Sequence, residues 1–173
     1  MRVCSVQIGS VVRHGSMRTA YGKRPVQGLV HVLVQGLEGD EQAWRHHGGP
    51  EMAVLAYSAD HYPLWRAELS WPELPLGGFA ENLTVAGASE ETVCIGDVWR
   101  AGTAVLQVAS PRTSCRKMSR FWKRPGLAKA AEVSGRVGWY LRVLQEGALQ
   151  AGDEVTLAER RQQITVLEAL RAK

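Results

Sequence analysis

The stretch TVCIGDVWRAGTAVLQVAS, residues 92–110, carries the pattern that decides the predicted fold. Its two halves are rich in β-branched and apolar residues, and Ala101-Gly102 separates them, so we predict two strands joined by a tight turn. Gly96-Asp97 and, later in the chain, Gly152-Asp153 each precede a strand that contains valine. Glycine supplies unusual backbone angles and aspartate caps turns, so both pairs are interpreted as structural corners.

Short runs of the same kind recur along the chain and outnumber the helical patterns. Further strands are predicted at residues 3–8, 29–34, 53–57, 137–145 and 154–159, and another at the end of residues 79–85. Helices are predicted at residues 60–69 and 127–133, while residues 164–170 fit either a strand or a helix. Many short strands with glycine corners and few helices predict a mainly β fold, built as a barrel or a strongly bent sheet.

Length and composition bound the class of protein. With 173 residues the chain is long enough for a substantial core, and we predict one domain over residues 1–173. No apolar run approaches the roughly 20 residues that span a bilayer, and the N-terminus lacks the apolar region of a signal peptide. Three cysteines in such a chain favour reduced thiols over a disulfide framework. We therefore predict a cytoplasmic protein with no membrane partner.

Two of the three cysteines are expected to be packing residues. Alternation along residues 3–8 puts Cys4, Val6 and Ile8 on one face of a strand, which predicts Cys4 in the core. Cys94 lies inside the predicted strand of residues 92–100 and is expected to pack in the same way.

The positive charge is unevenly distributed. Residues 112–129 contain seven cations and no carboxylate, and without these cations the net charge of +4 would become −3. A second basic stretch contains five cations: Arg2, Arg13, Arg18, Lys23 and Arg24. The two stretches either converge on one anionic ligand or form two solvated faces.

Cys115 lies within the first basic stretch, in the sequence PRTSCRK. Neighbouring cations favour the anionic form of a thiol, and a thiolate is both a nucleophile and a soft metal ligand. The alternative is that Cys115 is a small apolar side chain packed beside a solvated basic helix.

Two further loops offer polar groups for a ligand. His46-His47-Gly48-Gly49 combines imidazoles with glycines whose backbone can approach a ligand closely. Asn82 follows Gly77-Gly78-Phe79 and offers donors and an acceptor suited to the edge of a heterocycle, although a turn-capping role is also open. Zinc-ligand spacing, a P-loop and a dinucleotide-binding glycine motif are all absent from the sequence.

The order of five blocks resembles the MOSC domain, the C-terminal domain of molybdenum cofactor sulfurases. The blocks are RTAYGKRPVQG, GLEGDEQAWRHHGGPEMAVLAY, GFAENLTV, GDVWRAGTAVLQVASPRTSCRKM and GRVGWYLRVLQEGALQAGDEV. The resemblance covers roughly residues 18–159 and is strongest to the bacterial stand-alone subfamily linked to 6-hydroxylaminopurine resistance. It implies a mainly β, barrel-like fold of the pyruvate-kinase type and binding of the molybdenum cofactor, a phosphorylated pterin also called molybdopterin.

The resemblance also implies a role for each matching residue. Cys115 takes the place of the protein ligand to molybdenum. Cleavage of an N–O bond releases water and needs protons, for which His47 or Asp40 is the candidate donor. The remaining matches are cofactor-binding residues: Lys23, Arg24, His47, Gly48, Gly49, Asn82 and Arg112. Family descriptions also mention pyridoxal phosphate, which we attribute to the aminotransferase-like half of the sulfurases.

Three functions follow from these patterns. The first is an oxidoreductase that reduces N-hydroxylated bases or amidoxime-like compounds with electrons from a separate reductase. The second is a cofactor carrier or sulfur-delivery module with a persulfide on Cys115. The third, a nucleic-acid-binding barrel that stacks bases on Phe121 and Trp122, is the least favoured. Relatives carry a further helical domain after the barrel, and we expect none in a chain that stops at Lys173.

Overall fold

The computed structural model describes residues 1–44 and 48–172. Within these residues the strands are β1 (Arg2–Ile8), β2 (Val12–His14), β3 (Met17–Thr19), β4 (Arg24–Pro25), β5 (Val30–Leu33), β6 (Gly36–Leu37), β7 (Val54–Ser58), β8 (Leu83–Ala86), β9 (Val98–Ala101), β10 (Ala104–Pro111), β11 (Trp139–Gln145), β12 (Gly147–Leu149) and β13 (Val155–Glu159). The α-helices are α1 (His61–Glu68), α2 (Arg116–Phe121), α3 (Leu127–Ser134) and α4 (Val166–Arg171). None of the helices in these two ranges is long and apolar enough to cross a membrane.

Eight of the strands form one sheet in the order β13-β9-β10-β11-β7-β8-β1-β4. All neighbours are antiparallel except β7 and β8, whose parallel pairing is allowed by the crossover through α1. The sheet curls until β1 and β13 meet, because Val3 N donates to Asp153 O at 2.9 Å and Val155 N donates to Met1 O at 2.9 Å. The predicted barrel-like, mainly β fold is therefore confirmed.

The hairpin predicted from residues 92–110 is present as β9 and β10, with Ala101 paired to Ala104. Its first strand begins at Val98, six residues later than predicted. The reason is Asp97, which is buried and accepts a hydrogen bond from Cys94 N at 3.0 Å, so the chain turns before the strand starts. The turn predicted at Gly96-Asp97 is therefore present, and it lies where the first half of the strand was predicted.

A β-bulge at Cys4 overturns the prediction that this residue lies in the core. Val3 pairs with Val85 and Ser5 pairs with Thr84, so Cys4 is an extra residue on its strand. The bulge shifts the alternation, and Val3 and Val6 both become fully buried while Cys4 is only partly buried. Cys94 is buried as predicted.

Two apolar clusters hold the fold together. The barrel interior contains Trp99 and Trp139 in edge-to-face contact, with ring centroids 5.9 Å apart. A second cluster packs Trp65 of α1, Phe79 and Met118 of α2 together beside the barrel. Fully burying one large apolar side chain contributes about 1.5–3 kcal/mol, so this second cluster fixes the position of α2 against the sheet.

Candidate functional site

A cavity of about 280 Å³ opens at the N-terminal end of α2. Its walls come from chain segments that are far apart in the sequence, including the stretches around residues 19–23, 42–55, 80–82 and 112–117. Five of the residues predicted to form the site line this cavity: Lys23, Gly48, Asn82, Arg112 and Cys115. The fold therefore brings together groups that the sequence keeps separate.

Cys115 is held at the junction between the sheet and α2. The chain leaves β10 after Pro111, and Arg112 N donates to Gly138 O at 3.0 Å, which fixes the start of the connection. Cys115 then adopts an extended conformation as the N-cap residue of α2, and Met118, fully buried in the second cluster, anchors the helix. The thiol is partly exposed at the cavity wall.

Arg112 is a buried cation beside the thiol. It is 5% exposed, and its Nη1 donates to Phe79 O at 2.6 Å. Among the residues that the structure describes, no carboxylate lies within ion-pair distance of the guanidinium. Burial lowers the pKa of Arg112, but the attraction of Tyr21, Tyr140 and Glu81 outweighs this effect and the pKa is raised. The guanidinium is therefore held in its charged form at the cavity wall, where it can attract an anion.

Lys23 and Asp40 form a buried ion pair behind the cavity wall. Their side chains are 5% and 3% exposed, and the Lys23 Nζ lies 2.5 and 2.7 Å from the two Asp40 oxygens. Burial lowers the pKa of Lys23, and the attraction of Asp40 opposes that shift. Because Asp40 neutralises the charge of Lys23, the pair attracts an anion less strongly than Arg112 does.

Asp40, predicted as a proton donor, is enclosed by hydrogen-bond donors. Besides Lys23, its carboxylate accepts from Gly9 N at 2.7 Å and from Asn82 Nδ2 at 2.8 Å. It is not one of the residues that line the cavity. A carboxylate in this position orients Lys23, which itself reaches the cavity, so the geometry favours Lys23 over Asp40 as the group that holds a transferable proton.

Asn82 lines the cavity, but most of its hydrogen-bonding capacity is used within the protein. Its Nδ2 donates to Gln7 O at 3.2 Å as well as to Asp40, and its Oδ1 accepts from Leu55 N at 3.1 Å. The arrangement therefore favours the structural role over recognition of a heterocycle edge.

Other predicted site residues lie elsewhere. Arg24 is exposed on β4 and does not line the cavity, because successive side chains of an extended chain point to opposite sides and Lys23 already points inward. Gly49 begins the 3-10 turn Pro50–Met52 and is also not a lining residue, whereas Gly48 is. His46 and His47 lie outside the described residues.

Several lining residues were not predicted from the sequence. Tyr21 and Tyr140 give the cavity aromatic walls, and Lys117 adds a third cation, whose Nζ lies 5.0 Å from the centre of the Trp44 ring. Burial raises the pKa of Tyr21, whose hydroxyl donates to Gly78 O at 3.1 Å. The position of Lys117, two residues after Cys115, was an available signal. Tyr140 gave none, because an aromatic residue on a strand usually indicates core, and Tyr21 lies in an irregular segment between β3 and β4.

Glu81 supports the site without lining it. It is fully buried and accepts from Tyr62 Oη at 2.5 Å, Gly77 N at 2.9 Å and Thr84 Oγ1 at 2.8 Å. These bonds fix the loop that presents Phe79 O to Arg112. Glu81 and its neighbour Asn82 both hold the loops around the cavity in place.

The donor set of the cavity limits how a metal ion would be bound. Within residues 1–44 and 48–172 no group of three or more His, Cys, Asp or Glu side chains is arranged to hold a metal. Cys115 offers one soft ligand. A transition metal at this position would therefore need most of its ligands from a non-protein group.

Comparison with known proteins gives a consistent match. The family model of the MOSC domain matches residues 43–156. YflK of Bacillus subtilis is 43% identical over 145 residues, which cover 83% of this chain and 65% of YflK. A protein of Gibberella moniliformis called a reductase is 42% identical over 150 residues, covering 84% of this chain but 27% of that protein. YiiM of Escherichia coli is 36% identical over 156 residues, covering 87% and 69% of the two chains.

Solved structures agree with the sequence comparison. The crystal structure of YiiM from Geobacillus stearothermophilus superposes with a TM-score of 0.84 at 31% identity, covering 98% of this chain and 82% of that one. YiiM from Escherichia coli gives a TM-score of 0.79 at 31% identity, with 98% of this chain and 76% of that one covered.

The chain spans less than two thirds of the length of YflK and about a quarter of the length of the fungal reductase.

Proposed function

This chain belongs to the MOSC domain family, and from that premise we propose that it is an oxidoreductase that binds the molybdenum cofactor and reduces N-hydroxylated bases or amidoxime-like compounds. The observation that carries the proposal is the meeting of a partly exposed thiol, Cys115, and a buried guanidinium without a carboxylate partner, Arg112, in one cavity. The similarity to a fungal protein called a reductase supports the same reaction class.

The residues of the cavity fit a phosphorylated pterin that carries its own metal ligands. Arg112 and Lys117 supply positive charge for a phosphate, and Arg112 is held in its charged form at the cavity wall. Cys115 supplies the single protein thiolate that the metal would need. When bound, the cofactor supplies two-electron redox chemistry at the metal.

Reduction of an N-hydroxylated compound breaks its N–O bond, consumes two electrons and two protons, and releases an amine and water. We assign the electrons to a separate reductase. Lys23 holds a proton at its Nζ in the cavity wall, and the lowered pKa of this buried lysine makes the proton easier to transfer. Asp40 orients Lys23, and His47 stays a candidate second donor.

Metal analysis tests the proposal directly. Wild-type protein made in a host that synthesises the cofactor is expected to contain near-stoichiometric molybdenum, and Cys115→Ser is expected to lose it, while the cofactor-free forms of the two proteins should have the same melting temperature. Cys4→Ser is the matched control, because Cys4 is also partly exposed but lies on the bulge of β1. Metal-free wild type, or a Cys115→Ser variant that keeps its molybdenum, would contradict the proposal.

Turnover separates the enzyme from a carrier. With reduced methyl viologen as the artificial electron donor, the loaded protein is expected to convert 6-hydroxylaminopurine to adenine. If molybdenum is bound and no conversion occurs, the carrier with a Cys115 persulfide replaces the reductase as the assigned function.

A further inference from the structure

Four cations lie together on and just after α2. Arg116, Arg120 and Lys123 are exposed and Arg124 is partly exposed; we call these four residues the basic face. Arg116 and Arg120 are one helical turn apart and so lie on the same side of α2. Across residues 1–44 and 48–172 none of the four is within ion-pair distance of a carboxylate, so the face has no internal counter-charge.

Lys123 holds an unusual conformation at the centre of the basic face. Its φ is +52°, and the turn is closed by Lys123 N donating to Arg120 O at 3.3 Å and Arg124 N donating to Ser119 O at 2.9 Å. This is the helix-ending turn in which glycine is the usual left-handed residue, because glycine adopts that conformation without strain. A lysine at this position retains a charge at a cost in backbone energy.

A groove that is lined in part by apolar residues adjoins these cations. Leu69, Leu127 and Ala130 contribute to its walls together with Lys123 and Arg124, and its volume is about 470 Å³. A partly apolar lining beside exposed cations has the make-up of a protein-binding surface, in which apolar contact is surrounded by charge.

The second basic stretch of the sequence meets the first one here. His14, in the hairpin of β2 and β3, stacks on Phe121 of α2 with ring centroids 4.4 Å apart. The same hairpin carries Arg13 and Arg18 directly opposite each other, and both are exposed. Like charges in directly opposed positions destabilise a hairpin, and a negatively charged partner would relieve the repulsion.

We propose that the basic face and the adjoining groove dock a small acidic electron-transfer protein. The inference rests on the proposed function, in which each N–O bond broken requires two electrons from a donor's reduced flavin or iron–sulfur cluster. Cys115 caps the N-terminus of α2, and the six residues of that helix span roughly 9 Å. A donor seated on the basic face would therefore lie about one short helix away from the cavity that contains the thiol.

The aromatic residues in this region disfavour nucleic acid as the occupant. Phe121 is covered by His14 and Tyr21, with centroid distances of 4.4 and 4.9 Å, and Trp122 packs edge-to-face with Trp71 at 4.8 Å. Arg124 lies over the Trp71 ring at 4.4 Å. Rings that already pack against side chains in this way make poor stacking platforms for bases.

The test uses the cofactor-loaded protein, a purified flavodoxin as the acidic donor and reduced methyl viologen as a small donor that needs no docking. The double variant Arg120→Glu/Lys123→Glu is expected to lower the kcat/KM for flavodoxin about tenfold or more at low salt and to leave the viologen rate unchanged. Arg100→Glu, an exposed charge reversal on β9, is the matched control and is expected to leave both rates unchanged. Salt should shrink the difference between wild type and double variant, because exposed charges are screened within about 10 Å at 0.1 M.

Lys123→Gly provides a variant whose folding is not at risk. It removes the cation and the backbone strain together, so its melting temperature should equal or exceed that of wild type while its coupling to flavodoxin weakens. Equal flavodoxin rates in wild type and both variants would overturn the docking assignment.

Binding measurements keep the outcome distinct from failure of the proposed function. If reduced viologen supports no turnover, the reductase assignment fails, and docking is then decided by titrating flavodoxin and following tryptophan fluorescence. Salt-sensitive binding that the double variant loses supports the docking site; the absence of binding overturns it. Tighter binding to a single-stranded oligonucleotide than to flavodoxin would assign the face to nucleic acid instead.

Discussion

Replacing Asp40 by asparagine tests the buried ion pair behind the cavity. The change keeps the shape of the side chain and removes its charge, which leaves the Lys23 ammonium group 5% exposed without a counter-charge. Breaking a buried ion pair by removing one partner costs about 3–5 kcal/mol. For a chain of this size that corresponds to a fall of about 6–20 °C in melting temperature.

Urea unfolding of four proteins measures the effect: wild type, Asp40→Asn, Lys23→Met and the double variant. Each single variant leaves one charge buried and unpaired, whereas the double variant leaves neither, so it should be more stable than the sum of the two single losses predicts. Glu159→Gln is the control, because it breaks an ion pair with Arg161 whose side chains are 52% and 55% exposed, and it should leave the unfolding midpoint unchanged.

A loss below about 1 kcal/mol in Asp40→Asn would be typical of a solvated surface pair and would refute the buried ion pair. Additive single and double variants would refute the coupling between Lys23 and Asp40. Either result would also remove the basis for assigning a transferable proton to Lys23.

Four further expectations follow from the same geometry. Because burial lowers the pKa of Lys23 in the folded state, the unfolded chain binds the extra proton, and the stability of wild type relative to Lys23→Met should rise as pH rises toward the ordinary lysine value of 10.5; pH-dependent urea unfolding checks this. Tyr62→Phe removes the 2.5 Å hydrogen bond to buried Glu81 and should cost about 1.5–3 kcal/mol in urea unfolding. Gly102→Ala should cost at least about 1–2 kcal/mol by thermal denaturation, because φ is +55° and the added methyl would meet Ala148 O. Arg112→Met should abolish binding of inorganic phosphate in calorimetry, and it should lower the melting temperature in phosphate-free buffer, because Phe79 O loses its buried 2.6 Å hydrogen bond.

The sequence was sufficient for the class of fold because its decisive signals are local. Glycine corners and short β-branched runs are set by neighbouring residues, and the hairpin of β9 and β10 follows from them. The bulge at Cys4 could not be predicted in this way, because it depends on the pairing of β1 with β8, about 80 residues away. One extra residue in the pairing was enough to turn Val3, and not Cys4, toward the core, while Val6 beyond the bulge faces the core as predicted.

Several of the residues that line the cavity could be predicted from the sequence, but the role of each residue in the cavity was harder to predict. The ordered blocks identified the family, and five of the predicted residues line the cavity. Their roles depend on contacts that span the chain: Asn82 is occupied by Gln7, Leu55 and Asp40, and Lys23 is neutralised by Asp40. Whether the Arg24 side chain points into the cavity depends on the alternation of side chains along one short strand. The sequence KRP shows two adjacent cations but does not show which of them points inward.

Closure of the sheet between β1 and β13 also bears on how the protein is made. One edge of β1 near Val3 is satisfied only by residues 152–154, so some 150 residues must be synthesised before that pairing can form. Contacts of such long sequence separation form late and slowly. Until they form, a nascent chain presents an unpaired strand edge that invites association with other chains. Residues 152–154, which lead into the last strand, thus protect the edge of β1 from association as well as closing the barrel, and a chain truncated before residue 152 should accumulate in inclusion bodies.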